Sequence, residues 1–549
     1  MGGRAALAIM LVIVATAIAH LPALGNGFTN WDDPGYLLDN RLTVHPLADG
    51  VTGLVTTRSL AYPVPVTVLA YAAERAAFGL SPFAFHLVSL ALHVLCVLLA
   101  AALARRLGAR PWPAAGAALL FGLHPVVVEP VAWVVGQKDL LAACFVLLAL
   151  LVRSDARGQR AGATALAFVL CLAAIGAKPS AVAAVAIVPA LDLLLARRID
   201  RSGAILYSGL AVAGALSIAL GLVGHGFIGG EGPGRLGARS LTEALWAVWL
   251  QARHVVWPDP LLARYFAPTG LALLAGAAAG ALVIAALVGA AVASWRRGHR
   301  EVAFSLAAGL LAYAPVSGLV PLSRGPADSY LYLPLALAVV AAARGLGRLA
   351  DDGERASRLT AVATALAALA FTFASSRQTD VWHNARTLWD PVASHYPDDP
   401  RALMRVGDAH LFMNDPGAAL EEYEAIRRRY PGFAASLPAH AATLQALGRN
   451  RGAEAILAHA VRLDRTRDSL EAYGFFLATH EVPASDEAAA RASLVTVGEL
   501  LATRGKRAAT VGRAARLLRG YGETDLASAL ERRLAELERR ERGRGATGH

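Results

Sequence analysis

Directly after its first apolar stretch, this 549-residue chain carries Trp31-Asp32-Asp33-Pro34. Two adjacent carboxylates there can act as a general base, a metal ligand or a helix cap. Pro34 biases Asp33 towards an extended backbone, and neighbours in an extended segment point in opposite directions. From the pair alone a cap before a surface helix is the favoured reading, while an extended backbone would let one carboxylate face a cleft as the other orients the loop. A second cluster runs from His124-Pro125 through Glu129, Trp133 and Gln137 to Lys138-Asp139. If 126–139 is one helix, Glu129, Trp133 and Gln137 share a face. Lys138 and Asp139 read as a local ion pair closing a span, or as working groups, because ionisable residues near lipid persist when paired or used. Lys178, between two apolar segments, has no acidic sequence neighbour; it is either a snorkelling lysine or a cation for a phosphate. Arg324, Asp328, Tyr330 and Tyr332 follow in a later loop, suited to phosphate or sugar contact or to interfacial anchoring. Only three of the 52 basic residues are lysine, at 138, 178 and 506, so two lysines in the apolar half draw notice. No zinc spacing, Gly-rich phosphate loop or nucleophile elbow occurs. No metal ligand set is assigned; a divalent cation is left open.

The elements that must position these groups are apolar. Hydrophobic residues make up 56% of the chain and charged ones 17%, against about 25% charged in a soluble domain. The deficit falls in 1–375. Segments 5–25, 83–104, 112–128, 139–152, 161–177, 179–196, 203–224, 270–294, 302–321, 330–343 and 359–374 read as about eleven spans. Residues 1–25 are taken as the first of these rather than as a cleaved signal peptide. Arginines cluster at 105–110, 153–160, 197–201, 296–300 and 344–358, all on one side. By the positive-inside rule that side and the N-terminus are cytoplasmic, so the net charge of +11 sets topology and implies no nucleic-acid partner. The long loops 26–82 and 225–269 then face outward, and within the second the Trp-rich 240–257 reads as an interfacial or a tucked-in helix. Cys96, Cys144 and Cys171 all lie in apolar blocks as free thiols.

Residues 376–549 are charged and periodic. Ala385, Ala419 and Ala453 recur at a spacing of 34, as do Trp389, Tyr423 and Leu457, with Pro397 and Pro431 keeping the same interval. That period marks tetratricopeptide helical pairs, whose alanines and Gly407 sit where helices approach closely. The expected fold is all-α: a transmembrane helical bundle over 1–375, tetratricopeptide repeats over 376–467, and degenerate helical repeats with a tail over 468–549.

FTNWDDPGYLLDN (28–40), HPVVVEPVAWVVGQKDLLA (124–142), KPSAVAAVAIVPALDLLL (178–195), PADSYLYLPL (326–335) and VWHNARTLW (381–389), in this order, resemble bacterial relatives of the transmembrane-and-tetratricopeptide-repeat proteins, members of the C-type glycosyltransferase superfamily. The resemblance implies an inverting glycosyltransferase in a bacterial inner membrane, with its repeats in the periplasm. Its donor would be a polyprenyl-phosphate-linked sugar and its acceptor a periplasmic protein or glycan held by the repeats. It implies a catalytic base at Asp32 or Asp33, in the first outer loop; the extended backbone expected before Pro34 then favours Asp33 as the base, with Asp32 orienting the loop and Glu129 next in line. Lys178 and Arg324 are expected on the donor phosphate, with Lys138, Asp139, His124 and Tyr330 around the substrate. A non-catalytic, membrane-anchored repeat scaffold for envelope assembly is the alternative; paired inverted halves, as in a transporter, are not seen.

Overall fold

The computed structural model describes residues 3–57, 62–155, 157–225, 238–319, 324–505 and 507–546. Lys506, parts of the expected second outer loop and the end of the expected span 302–321 lie outside these. Among the described residues every regular element is helical, as lipid demands of a chain whose backbone groups must bond within their own segment. The protein divides into two compact units, Met1–Val392 and Ala393–His549.

Each of the eleven expected apolar segments falls at least in part on helix in the first unit, and 302–321 is helical as far as Val316. Among the described residues, however, seven helices are long and apolar enough to cross a membrane: Ala6–Gly25, Pro82–Arg106, Val134–Ser154, Arg201–Ala219, Gly270–Arg296, Asp328–Asp351 and Glu354–Val381. The pair Pro111–Leu123 and Pro125–Ala132, bent by 59°, makes an eighth if counted as one span. The other three expected spans fall on shorter helices, Ala161–Ala177, Pro179–Leu194 and Arg300–Tyr313. These features describe a multi-pass membrane protein. Its core is built from small and aliphatic side chains, among them Val97, Ala100, Ala118, Val146, Ala308 and Ala336. Without a hydrophobic drive between helices in lipid, such small residues let backbones approach closely. The thiols of Cys96, Cys144 and Cys171 are free and buried.

The arginine clusters share one end of this bundle. Arg106 pairs with Asp155 at 3.0 Å, Arg344 with Glu301 at 2.7 Å, and Arg344 also donates to the Gly108 carbonyl at 3.0 Å. Arg153 is buried rather than free: it meets Asp192 at 2.5 Å, and Tyr207 donates to the same carboxylate at 2.6 Å. The helix Ala238–Val256 packs along Gly270–Arg296, where a Cβ on Gly280 would lie 1.8 Å from the Leu245 carbonyl. Ala244, Trp246, Ala247 and Leu250 are thereby buried, while Trp249 and Trp257 stay exposed. The expected Trp-rich segment is thus a structural helix with an apolar outer side.

The second unit is a run of antiparallel helical pairs, Pro400–Phe412 with Pro416–Arg429, Leu437–Ala446 with Asn450–Leu463, Arg467–Thr479 with Glu487–Arg504, and Ala508–Gly520 with Thr524–Ala546. The periodic positions are the packed ones: Ala419, Tyr423, Ala453 and Leu457 are buried. A Cβ on Gly407 would stand 2.9 Å from the Tyr423 ring. Only glycine lets that aromatic lie against the first helix, and Tyr423 completes the contact by donating to Asp408 at 2.6 Å.

Candidate active site

The loop after the first span is sewn to distant segments mainly through its side chains. Asn26 Nδ2 donates to the carbonyls of Ala132 (3.3 Å) and Thr379 (3.2 Å), and the Gly27 amide donates to His383 O at 2.9 Å. Asn30 accepts from the Trp389 indole at 2.8 Å, and Trp31 meets the Trp389 ring edge-on at 4.9 Å. Trp382 in turn stacks on Trp133 with centroids 5.5 Å apart. Segments 26–33, 129–133 and 379–389 therefore hold a common wall.

Asp33 differs from expectation in two ways. Its backbone is helical (φ −58°, ψ −38°) rather than extended, opening a π turn over Pro34–Leu38. Its carboxylate is fully buried and folds back on the loop, accepting from the Thr29 amide (2.6 Å), the Thr29 hydroxyl (3.1 Å) and the Trp133 indole (2.8 Å). Burial pushes its pKa up to about 7 against these donors, helped by the charge on Asp32. Asp32 is the carboxylate left accessible: its side chain is 27% exposed and stands 3.8 Å from the Lys138 ammonium.

Three buried cations surround this place, each with an acid. Lys138 faces Asp32, Lys178 pairs with Asp139, and Arg324 pairs with Glu129 at 2.7 Å. Each also lies over aromatic faces, where the ring quadrupole favours a cation: Lys138 over Tyr36 (4.3 Å) and Trp133 (5.1 Å), Lys178 over Tyr330 (5.1 Å), Arg324 over Trp133 (4.9 Å) and Trp31 (5.4 Å). The charges of Asp139, Asp32 and Arg324 all act on the Tyr62 hydroxyl, whose pKa burial raises to about 12. Tyr62 lies beside Tyr36, among these charges. Beside the Lys178–Asp139 pair is a cavity of about 20 Å³ lined by Ser180, Ser329, Tyr330 and small apolar residues, room for roughly one water.

The pairing corrects the sequence reading. Lys138 does not neutralise the adjacent Asp139, because Asp139 is taken by Lys178; and Lys178, expected to lack an acid, has one from 39 positions away. Asp328, close to Arg324 in sequence, has other partners. It is buried with His254 (3.2 Å) and the Tyr265 hydroxyl (2.9 Å), tying the helix Ala238–Val256 to the loop before Tyr332–Asp351. Residues 126–139 are not one helix either. Trp133 is extended (φ −111°, ψ 124°) between short turns, and a Cβ on Gly136 would strike the Pro130 backbone at 2.6 Å. Glu129, Trp133 and Gln137 consequently diverge, to Arg324, Asp33 and Glu74. His124 spends both ring nitrogens on backbone, donating from Nε2 to Val255 O at 2.9 Å and accepting at Nδ1 from the Val126 amide at 3.3 Å.

Glu74, which the sequence reading passes over, lies on Pro65–Phe78 within the first outer loop. It is buried, accepts from Gln137 Nε2 at 2.8 Å, and its pKa is pushed by burial to about 7. The available signal was its isolation as the only acidic residue from 50 to 128. Among the described residues no group of three or more His, Cys, Asp or Glu is placed to hold a metal ion.

No family model matches the chain. Over 185 residues, 32% of its length, it is 30% identical to Protein O-mannosyl-transferase Tmtc1 of Drosophila melanogaster; over 132 residues, 22% of its length, it is 35% identical to Protein O-mannosyl-transferase Tmtc2 of the same organism. The matched stretches span 22% and 14% of those relatives. The chain is thus similar to transmembrane-and-tetratricopeptide-repeat proteins, as its motifs suggest. A crystal structure of ArnT from Cupriavidus metallidurans bound to undecaprenyl phosphate aligns over 82% of this chain and 79% of its own at 16% identity, with a TM-score of 0.37; at that score the likeness carries no argument.

Proposed function

We propose that this membrane protein is an inverting glycosyltransferase that moves a sugar from a polyprenyl-phosphate carrier to a protein or glycan hydroxyl. The observation that carries the reading is one accessible carboxylate, Asp32, held among three buried cations at the end of the bundle opposite the arginine clusters. The two matched relatives, named as O-mannosyl-transferases, support the same class.

The chemistry follows from the groups present. An isoprenoid tail belongs in lipid, and its phosphate at the interface needs fixed positive charge. Lys138, Lys178 and Arg324 supply it, preset by Asp32, Asp139 and Glu129 so that charge is in place before the phosphate arrives. Asp32 accepts the proton of the acceptor hydroxyl as the new oxygen–C1 bond forms. The C1–O bond to phosphate breaks on the opposite face, and the released phosphate takes the electron pair beside the cations. Phosphate is a good leaving group, so no separate acid is required. Asp32 takes this role over Asp33 because all three donors on Asp33 are structural and its carboxylate is closed to a substrate. The arginine-rich end faces the cytoplasm of a bacterial cell, the site faces the periplasm, and the repeats of the second unit hold the acceptor.

The test compares envelope glycoproteins and glycans, by mass spectrometry, from strains carrying the parent chain or Asp32→Asn. General-base assistance is worth about 10²–10⁴ in rate, so the variant should lose the sugar additions that the parent makes while reaching the membrane at the same level. Equal glycosylation in the two strains overturns the assignment of Asp32. Identical profiles with and without the parent chain overturn the enzyme reading and leave a scaffold.

A further inference from the structure

A buried, saturated carboxylate beside a reaction centre needs a purpose, and its partners name one. Asp33 accepts the Trp133 indole N–H at 2.8 Å, in the extended break between two short helical turns. Trp133 is itself 1% exposed and stacked by Trp382 at an interplanar angle of 26°. One edge and one face of the indole are thereby fixed. Against the same ring system lie two of the three cations, Lys138 Nζ at 5.1 Å and the Arg324 guanidinium at 4.9 Å. These come from different parts of the chain, and their carboxylate partners, Asp32 and Glu129, also differ. Among the described residues, Trp133 is the aromatic ring that both cations share.

We infer that Asp33 is a positioning residue that acts through Trp133, setting the separation of Lys138 and Arg324 and so the shape of the anion site they form. The inference rests on the proposed function only for what that anion is, a lipid-linked phosphate. Thr29 completes the device. Its amide and hydroxyl hold the other Asp33 oxygen, so the carboxylate cannot swing from the indole towards solvent or towards Asp32. Asp33 thus links the backbone of the first outer loop to the ring on which the cations rest.

Binding of undecaprenyl phosphate to the purified full chain in detergent, read by native mass spectrometry, tests this without requiring turnover. Asp33→Asn and Trp133→Phe should each weaken binding about tenfold, the loss of one buried hydrogen bond. Phe keeps a ring for Trp382 and the cations but has no N–H for Asp33. If Asp33 acts through that N–H, the double variant binds no worse than the weaker single one, since the two changes remove one interaction. Thr29→Val, which deletes a single donor, should give a smaller loss in the same direction and serves should Asp33→Asn fail to fold. Losses that add in the double variant overturn the inference. So does unchanged lipid binding in Asp33→Asn; should that variant also abolish sugar transfer, Asp33 is the base. Failure of the parent to bind the lipid removes the proposed donor class, and an unaltered affinity for a non-lipid pyrophosphate probe in both single variants removes the positioning role as well.

Discussion

Raising the pH from 5 to 7 should destabilise the first unit, and Glu74→Gln should remove a large part of that loss. Glu74 Oε1 accepts from Gln137 Nε2, while Glu74 Oε2 and Gln137 Oε1 are both buried without a hydrogen-bond partner. A proton on Oε2, donated to Gln137 Oε1, would satisfy both at once. Burial favours that neutral form and lifts the pKa from 4.5 to about 7. Between these values the folded chain holds a proton that the unfolded chain has released, so stability falls as pH rises. A tenfold difference in proton affinity between the folded and unfolded chain is worth about 1.4 kcal/mol. Glu74 therefore contributes about 3 kcal/mol that is present below pH 4.5 and gone above about 7. Asp33 titrates over an overlapping window, from 3.8 to about 7, and adds its own slope. In Glu74→Gln an amide replaces the neutral acid at almost the same size and keeps a donor for Gln137 Oε1. Thermal unfolding of the full chain in detergent, followed by tryptophan emission at pH 5, 6 and 7, should show a falling melting temperature in the parent. The fall should be roughly halved in Glu74→Gln, and the variant should be the more stable protein at pH 7. If instead it melts lower than the parent by the same margin at every pH, Glu74 is ionised when folded and the acid–amide pairing is wrong.

Two further expectations concern the other unit and the topology. Ala419→Leu, placing a larger side chain at a fully buried contact between Pro400–Phe412 and Pro416–Arg429, should destabilise the helical pairs by about 1–3 kcal/mol, read by urea unfolding of the full chain through far-ultraviolet circular dichroism; no shift in midpoint would mean that this position is not a packed seam. Alkaline-phosphatase fusions near residue 400 should be active and those near 199 inactive, and the reverse pattern would put the candidate site in the cytosol.

Why some of this was legible in the sequence and some not has a physical cause. The helices were legible because lipid leaves few options: an apolar stretch must satisfy its own backbone, and the short inner loops kept their arginines on one end. The helical pairs were legible because a close approach recurs with the repeat, so Gly407 under Tyr423 and the buried Ala419 and Ala453 announce themselves by spacing. The charge pairs were not, and Lys138 and Asp139 show why. Both belong to the helix Gln137–Ser154, where consecutive residues are turned about 100° from each other. Adjacent opposite charges there face different neighbours, so one meets Asp32 in the first outer loop and the other Lys178 at the end of Ala161–Ala177. The backbone of Asp33 misled for a related reason. The preference of a residue before proline is weaker than three hydrogen bonds to a buried carboxylate, and those bonds turned Asp33 inward and left Asp32 beside Lys138. In this site the sequence neighbour of a charge is a poor guide to its partner, while the aromatic ring of Trp133 is a good guide to where the cations gather.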